Sequence, residues 1–335
     1  MPNPTRATIQ DVARLAGVSA KTVSRVFHGS DQVRPDTRER VMAAAERLRF
    51  RPNRVARDLR RGGVTSTVGF VIGDIQNPFY FTVAGGIEYE LAQHGYTMLL
   101  ATTDDSAETE RRVVDAVLSQ GVRALLLIPV ADDQSYLEGE RHFGTPIVGV
   151  DRPLENLLSD TVLLTNRAGM AEAVRSLTAL GHRRIAFVAN PASVHTVRER
   201  LAGYRDALAE VGVSPTDRWL SLGDDPTAST RDAVVELMRS SEPPTAIVTG
   251  NNRATTATLQ ALRDLDSPCA LIGFDDFELA EMLGISVVAH DAHALGRAAA
   301  LLAIDRIDRP TAPPRRVEIA TSLVQRGSGE RPPHG

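Results

Sequence analysis

The chain of 335 residues has one cysteine, one tryptophan and one lysine. The single thiol, Cys269, excludes an internal disulfide, fits a reducing compartment, and is expected in the core. No apolar stretch reaches the roughly 18 residues that a membrane helix needs. The opening residues, MPNPTRATIQ, contain no apolar run, so neither a membrane span nor a signal peptide is expected. The signatures of catalysis are also missing. There is no Gly-x-Gly-x-x-Gly, no Gly-Lys-Ser/Thr phosphate loop and no Gly-x-Ser-x-Gly. His290, Asp291 and His293 lack further spaced ligands, so no metal and no cofactor is expected. These absences lead us to expect a cytoplasmic protein and disfavour an enzyme.

The length suggests two or three domains, and the charge is divided unevenly between them. Residues 1–62 carry 14 Lys+Arg and 6 Asp+Glu, a net of +8, whereas the whole chain has a net of −4. A basic head on an acidic body suggests that the head meets a polyanion.

The head has the punctuation of short helices. In TIQDVARLAG, Thr8 and Asp11 have capping-box spacing, and Ile9, Val12, Ala13 and Ala16 share an apolar face. Gly17 suits a left-handed helix end. Ser19 is placed to cap a second helix, Ala20 to about Phe27, which makes a helix-turn-helix. A third helix begins at Pro35, with Asp36 and Glu39 near its positive end and Val41, Ala44, Ala45 and Leu48 as its buried stripe. On the second helix Val23 and Val26 or Phe27 face inward, leaving Ala20, Lys21, Ser24 and Arg25 outside. That face enters the DNA major groove in a helix-turn-helix, where Arg can donate two hydrogen bonds to one guanine.

The segments DVARLAGVSAKTVSRV and RPNRVARDL are similar to the N-terminus of the lactose-repressor (LacI/GalR) family of bacterial transcription regulators, and the resemblance extends over nearly the whole chain. It implies a helix-turn-helix domain over 1–51, a hinge helix over 52–63, and an effector-binding and dimerisation body over 64–335. Ala20, Lys21 and Arg25 would read bases, and Ser19, Thr22, Ser24, His28 and Thr37 would contact phosphates or the groove. Asn53 and Arg54 would meet DNA at the start of the hinge. Leu59, a lone apolar residue among Arg57, Asp58, Arg60 and Arg61, would wedge into the minor groove and kink the operator.

From Ser66 onward, strand-like runs (TVGFVIG, YTMLLAT, ALLLIP, PIVGV, RIAFVA, AIVTG, ALIGF, ISVVAH) alternate with helical stretches. That pattern predicts parallel α/β sheets in two similar halves, about 66–164 and 165–290. The resemblance adds a return to the first lobe near 292–322, a C-terminal end in the second lobe, and a body like periplasmic sugar-binding proteins. Ligands in such sheets sit beyond the carboxyl ends of the strands, here between lobes. Asn77, Phe79, Tyr80, Asp151, Arg152, Asn251, Asn252, Asp275 and His290 fall at such ends, and Arg200 sits in RERLAG. The resemblance favours Arg200, Asp275 and Asp151 as effector contacts, followed by Phe79 and His290. Carboxylates, amides and guanidinium groups around an aromatic platform suit a polyhydroxylated ligand.

Two departures from the family pattern broaden that expectation to a sugar or sugar acid. Asn251-Asn252 replaces the common Asn-Asp, and Asp225-Pro226 stands where a stacking Trp occurs. Of four Asp-Asp pairs, those beginning at Asp104, Asp132 and Asp224 read as loop surface. The expected function is a repressor whose affinity for a pseudo-palindromic double-stranded operator is set by a small effector in the cleft. The alternatives are a sugar-processing enzyme or a sugar-binding receptor with the same body. The tail, LVQRGSGERPPHG, has no apolar heptad, so a nucleoid-associated homodimer is expected, not a tetramer.

Overall fold

Local chemistry sets the helices of the head. Thr8 caps α1 (Ile9–Ala16) in a full capping box with Asp11, and Gly17 closes it at φ 67°. The Ser19 hydroxyl accepts from the Thr22 N–H at 3.1 Å and starts α2 (Ala20–Phe27). Pro35 opens α3 (Pro35–Arg47). Val12, Val23 and Val41, one from each helix, are fully buried at the centre of a small core.

The computed structural model describes residues 7–27, 33–50, 65–189, 191–214, 217–223 and 228–333. They form two units, Met1–Thr65 and Ser66–Gly335. The expectations for His28, Asn53, Arg54 and Leu59 lie outside the described residues.

The second unit contains two six-stranded sheets with the same strand order. In the first sheet β1 (Thr67–Ile72) pairs with β2 (Thr97–Thr102) and β3 (Ala124–Leu127). β4 (Ile147–Val150), β5 (Asp160–Leu164) and β11 (Arg316–Ile319) follow toward the other edge. The second sheet repeats this arrangement. β6 (Ile185–Ala189) pairs with β7 (Leu220–Leu222) and β8 (Ala246–Thr249), followed by β9 (Ala270–Phe274), β10 (Ser286–His290) and β12 (Thr321–Val324).

Period-two alternation assigns each sheet face its helices. Val68, Phe70 and Ile72 pack with α4 (Pro78–Gln93) and α11 (Ala292–Asp308), whereas Val71 packs on the opposite face with α5 (Ala107–Leu118). In the second sheet Ile185, Phe187 and Ala189 pack with α7 (Asn166–Ala179) and α8 (His195–Glu210). Ala186 and Val188 pack with α9 (Ala228–Arg239) and α10 (Asn252–Asp264) on the other side.

Glycine allows the closest helix contacts. A Cβ on Gly86 of α4 would lie 2.1 Å from the His293 carbonyl of α11, and one on Gly203 of α8 would lie 2.1 Å from the Arg167 carbonyl of α7.

One strand corrects the all-parallel expectation: β12 runs antiparallel to β10. The parallel strands of both lobes end at the cleft. A chain that leaves β11 at Ile319 and enters the second lobe at Thr321 must therefore run away from the cleft. The lobe change falls at Ala320, where about 322 was expected. Four strands were not singled out from the sequence. β7, β11 and β12 are short and only partly buried, and β5 has an apolar run of only three residues.

Candidate functional site

The carboxyl ends of both sheets line a cleft of about 430 Å³. Each lobe supplies an aspartate from the turn after the corresponding strand. Asp151 follows β4 at φ 63°, with its N–H bonded to Val162 O at 2.8 Å. Asp275 follows β9 at φ 67°, with its N–H bonded to Val288 O at 3.1 Å. Asp tolerates this left-handed backbone better than most side chains, because its short polar group can bond locally. The repeated geometry aims one carboxylate from each lobe at the cleft.

Arg200, on α8, is 4% exposed. Its Nε donates to Asn166 Oδ1 at 2.8 Å and its Nη1 to Gly250 O at 2.5 Å. Its Nη2 lies 3.7 Å from Asp275 Oδ1, and its guanidinium carbon lies 3.6 Å above the centre of the Phe274 ring. His290 Nε2 donates to Asp275 Oδ1 at 3.0 Å. Burial is the largest influence on Asp275 and pushes its carboxyl up. Arg200, His290 and the Asn252 N–H outweigh it and hold the group below the ordinary carboxylate range.

The first lobe balances its charges differently. Arg152 donates to Pro129 O at 2.9 Å and to the Tyr80 hydroxyl at 3.4 Å, and its Nε is 3.9 Å from Asp151 Oδ2. Burial raises the Asp151 carboxyl, and Arg152 and Arg200 offset this only in part. Burial also pushes the Tyr80 phenol up to about 12, so it remains a donor at neutral pH. The loop carrying Pro129 is held by fully buried Glu110, which accepts from the N–H groups of Val130 and Ala131 and from the Tyr136 hydroxyl. Among the described residues, Asp151 Oδ1, Arg152 Nε and His290 Nδ1 are buried without a hydrogen-bond partner.

Phe79, Asp151, Arg152, Arg200, Asn251 and Asp275 all line the cleft. His290 stands behind Asp275, edge-on to Phe79 with ring centres 5.5 Å apart. Asn252 does not join the lining. One residue past the cap it points along a different side of α10, where its Nδ2 donates to Asn77 Oδ1 at 3.0 Å. Asn251 caps α10 by accepting from the Ala254 N–H at 2.8 Å.

Asp105 and Asp132, expected on the loop surface, also line the cleft. A Cβ on Gly73 would lie 2.0 Å from the Asp105 carboxylate. The available signal was position: both Asp-Asp pairs follow strand ends, in LLATTDD and LLLIPVADD. Asn166 carried no such signal, because its contact with Arg200 joins residues 34 apart. Among the described residues, two ion pairs bridge the lobes at the cleft, Arg253 with Asp74 and Arg198 with Glu155 at 3.6 Å.

In the head, Ser19, Lys21 and Arg25 are exposed, and Thr22, Ser24 and Thr37 are half-buried. Ser19 and Thr22 share a hydroxyl hydrogen bond at 2.9 Å. Ala20, expected wholly outside, is half-buried and packs on the head core beside Val18. This leaves Lys21 and Arg25 as the most protruding side chains of the face read from the sequence.

A helix-turn-helix unit and a two-lobed body with a polar interlobe cleft define a ligand-responsive DNA-binding regulator. Residues 8–53 match the family described as bacterial regulatory proteins, lacI family. Residues 65–327 match periplasmic binding proteins and the sugar-binding domain of the LacI family. The chain belongs to the LacI family of bacterial regulators. It is 35% identical to the HTH-type transcriptional regulator CelR of Thermobifida fusca, over 97% of this chain and 98% of CelR. It is 32% identical to the ribose operon repressor of Escherichia coli K12, over 96% of this chain and 99% of that protein. The solved complex of the transcriptional regulator CelR with cellobiose aligns with a TM-score of 0.71 at 32% identity, over 96% of this chain and all of that one.

Proposed function

We propose that this protein is a cytoplasmic, nucleoid-associated transcriptional repressor. As a homodimer it binds a pseudo-palindromic operator, and a neutral sugar in the interlobe cleft controls its affinity. The observation that carries the ligand class is the pair of unsatisfied groups, Asp151 Oδ1 and Arg152 Nε, in a cleft whose other cations already have protein partners. A hydroxyl both donates and accepts, so a sugar can serve both groups. An anionic ligand could meet the free Arg152 Nε but would also face Asp105, Asp132, Asp151, Glu155 and Asp275 around the cleft. This favours a neutral sugar over a sugar acid or a sugar phosphate. The CelR complex with cellobiose supports the sugar class. In the head, Lys21 and Arg25 would read bases, Ser19, Thr22, Ser24 and Thr37 would hold the backbone, and Leu59 would supply the minor-groove wedge.

The test of the ligand class is thermal unfolding of the full chain against neutral aldoses and disaccharides, sugar acids and sugar phosphates. A ligand at 100 times its Kd adds about 2.7 kcal/mol. Stabilisation by a neutral sugar and not by its acid or phosphate is the expected result, and the reverse preference overturns the assignment. For the head, selection from random duplexes should return a two-fold-symmetric site. Arg25→Ala should weaken it by about 1–3 kcal/mol and relax one base pair per half-site. Equal losses on selected and random DNA would reassign Arg25 to phosphate contact. Light scattering should give twice the 36.2 kDa chain mass.

A further inference from the structure

The two lobes are joined by three chain crossings: β5 into α7 at 164–166, β10 into α11 at 290–292, and β11 into β12 at 319–321. A hinge between lobes must turn about these crossings. Side chains at the first two belong to one buried polar chain that passes through the cleft. Asn166 is the first residue of α7 and 3% exposed, and its Nδ2 lies 3.4 Å from Leu164 O at the end of β5. That contact turns its Oδ1 toward Arg200 Nε, 2.8 Å away. Arg200 faces Asp275 at 3.7 Å, and Asp275 accepts from His290, the last residue of β10, at 3.0 Å. The third crossing is tied to the first. The Thr321 N–H donates to Thr165 Oγ1 at 2.9 Å, and the two hydroxyls are 3.0 Å apart.

We propose that Asn166 is a positioning residue that couples the cleft to the lobe crossings, through the chain Asn166–Arg200–Asp275–His290. Arg200 cannot shift alone. Its Nε, its Nη1 and the face of its guanidinium are engaged by Asn166, Gly250 and Phe274, and it is held in a buried site where each lost hydrogen bond is costly. A ligand that displaces Arg200 or Asp275 therefore moves side chains fixed to two crossings. The backbone at the first carries the third with it through Thr165 and Thr321. This regulatory meaning rests on the cleft being the effector site. The physical coupling does not, and it exists without ligand.

The test uses the full-length, ligand-free protein and hydrogen–deuterium exchange read by mass spectrometry. Coupling is reciprocal, so each end should report on the other. Asn166→Leu, which removes the acceptor at similar volume, should speed exchange at 286–293 by about tenfold, a loss of about 1.4 kcal/mol of local protection, while 67–72 is unchanged. His290→Leu should do the same at 164–170. The double variant should be no faster at either segment than the single ones. Asn166→Asp keeps an acceptor for Arg200, though it loses the donor to Leu164 O, and should hold exchange at 286–293 much closer to wild type than Asn166→Leu does. If Asn166→Leu does not fold, the His290→Leu effect at 164–170 and the Asn166→Asp result at 286–293 decide the matter. Effects confined to each variant's own segment, or Asn166→Asp behaving like Asn166→Leu, overturn the proposal. A sugar panel without a hit leaves this result standing, and failure here leaves the sugar reading standing.

Discussion

The two lobes share a backbone plan and differ in electrostatics. Asp151 and Asp275 follow equivalent strands, adopt the same left-handed turn and make the same backbone hydrogen bond to the neighbouring strand. Yet burial raises the carboxyl of Asp151, whereas Arg200 and His290 overcome burial at Asp275 and lower it. The difference lies in the partner, not in the turn. Arg200 reaches Asp275 from a helix and completes a buried network, whereas Arg152 is the chain neighbour of Asp151 and turns its Nη1 and Nη2 to Pro129 and Tyr80. A repeated backbone thus offers two equivalent positions, and the long-range partner decides in which direction each carboxyl shifts.

Removing the two arginines should break this symmetry most strongly. Arg200→Ala leaves Asp275 buried without its ion-pair partner and should destabilise by about 3–5 kcal/mol. Arg152→Ala removes two hydrogen bonds beside a carboxyl that burial already raises and should cost about 1–3 kcal/mol. Urea denaturation followed by the fluorescence of Trp219 checks both, and equal losses would show that the two lobes carry their charges alike.

The helix pairs offer the complementary test, because there the lobes are alike. Gly86→Ala and Gly203→Ala each push a methyl group into a backbone carbonyl of the partner helix and should each cost about 1–3 kcal/mol. A much smaller loss at one of them, in the same denaturation experiment, would mean that its helix pair can separate and the other cannot.

The smallest expected effect has the opposite sign. The raised carboxyl of Asp151 contributes most favourably below its unfolded value of about 3.9 and loses that contribution as pH rises through its folded value. Asp151→Asn should therefore be more stable than the wild type at pH 7, and the gain should vanish in acid. The lowered carboxyl of Asp275 contributes above about 3.9 and loses that contribution as pH falls through its folded value. Asp275→Asn should therefore cost most at neutral pH and converge on the wild type in acid. Stability curves from pH 3 to pH 8 that run parallel for the two variants would remove the distinction.

The head was legible because its signals are short-range. Thr8 with Asp11, Gly17, Ser19 and Pro35 act within a turn of where they stand, and each appears in the structure as the spacing predicts. The cleft was legible where a polar residue follows an apolar strand, as at Asp151 and Asp275. The same rule reached Asp105 and Asp132, but their doubled aspartates looked like solvated loop. Asn252 misled because adjacent residues at a helix start point in different directions, so Asn251 faces the cleft and Asn252 faces Asn77.

The sequence by itself determined the local elements: the caps and turns of the head, the alternation of strand and helix in the body, and the polar residues at strand ends. These depend on contacts within a few residues, where spacing is geometry. Only the tertiary structure decided that β12 runs against β10, that Asn166 meets Arg200, and that the carboxyls of two like aspartates shift in opposite directions. Each of these depends on which distant segment comes to rest beside a residue, and on how much water that approach removes.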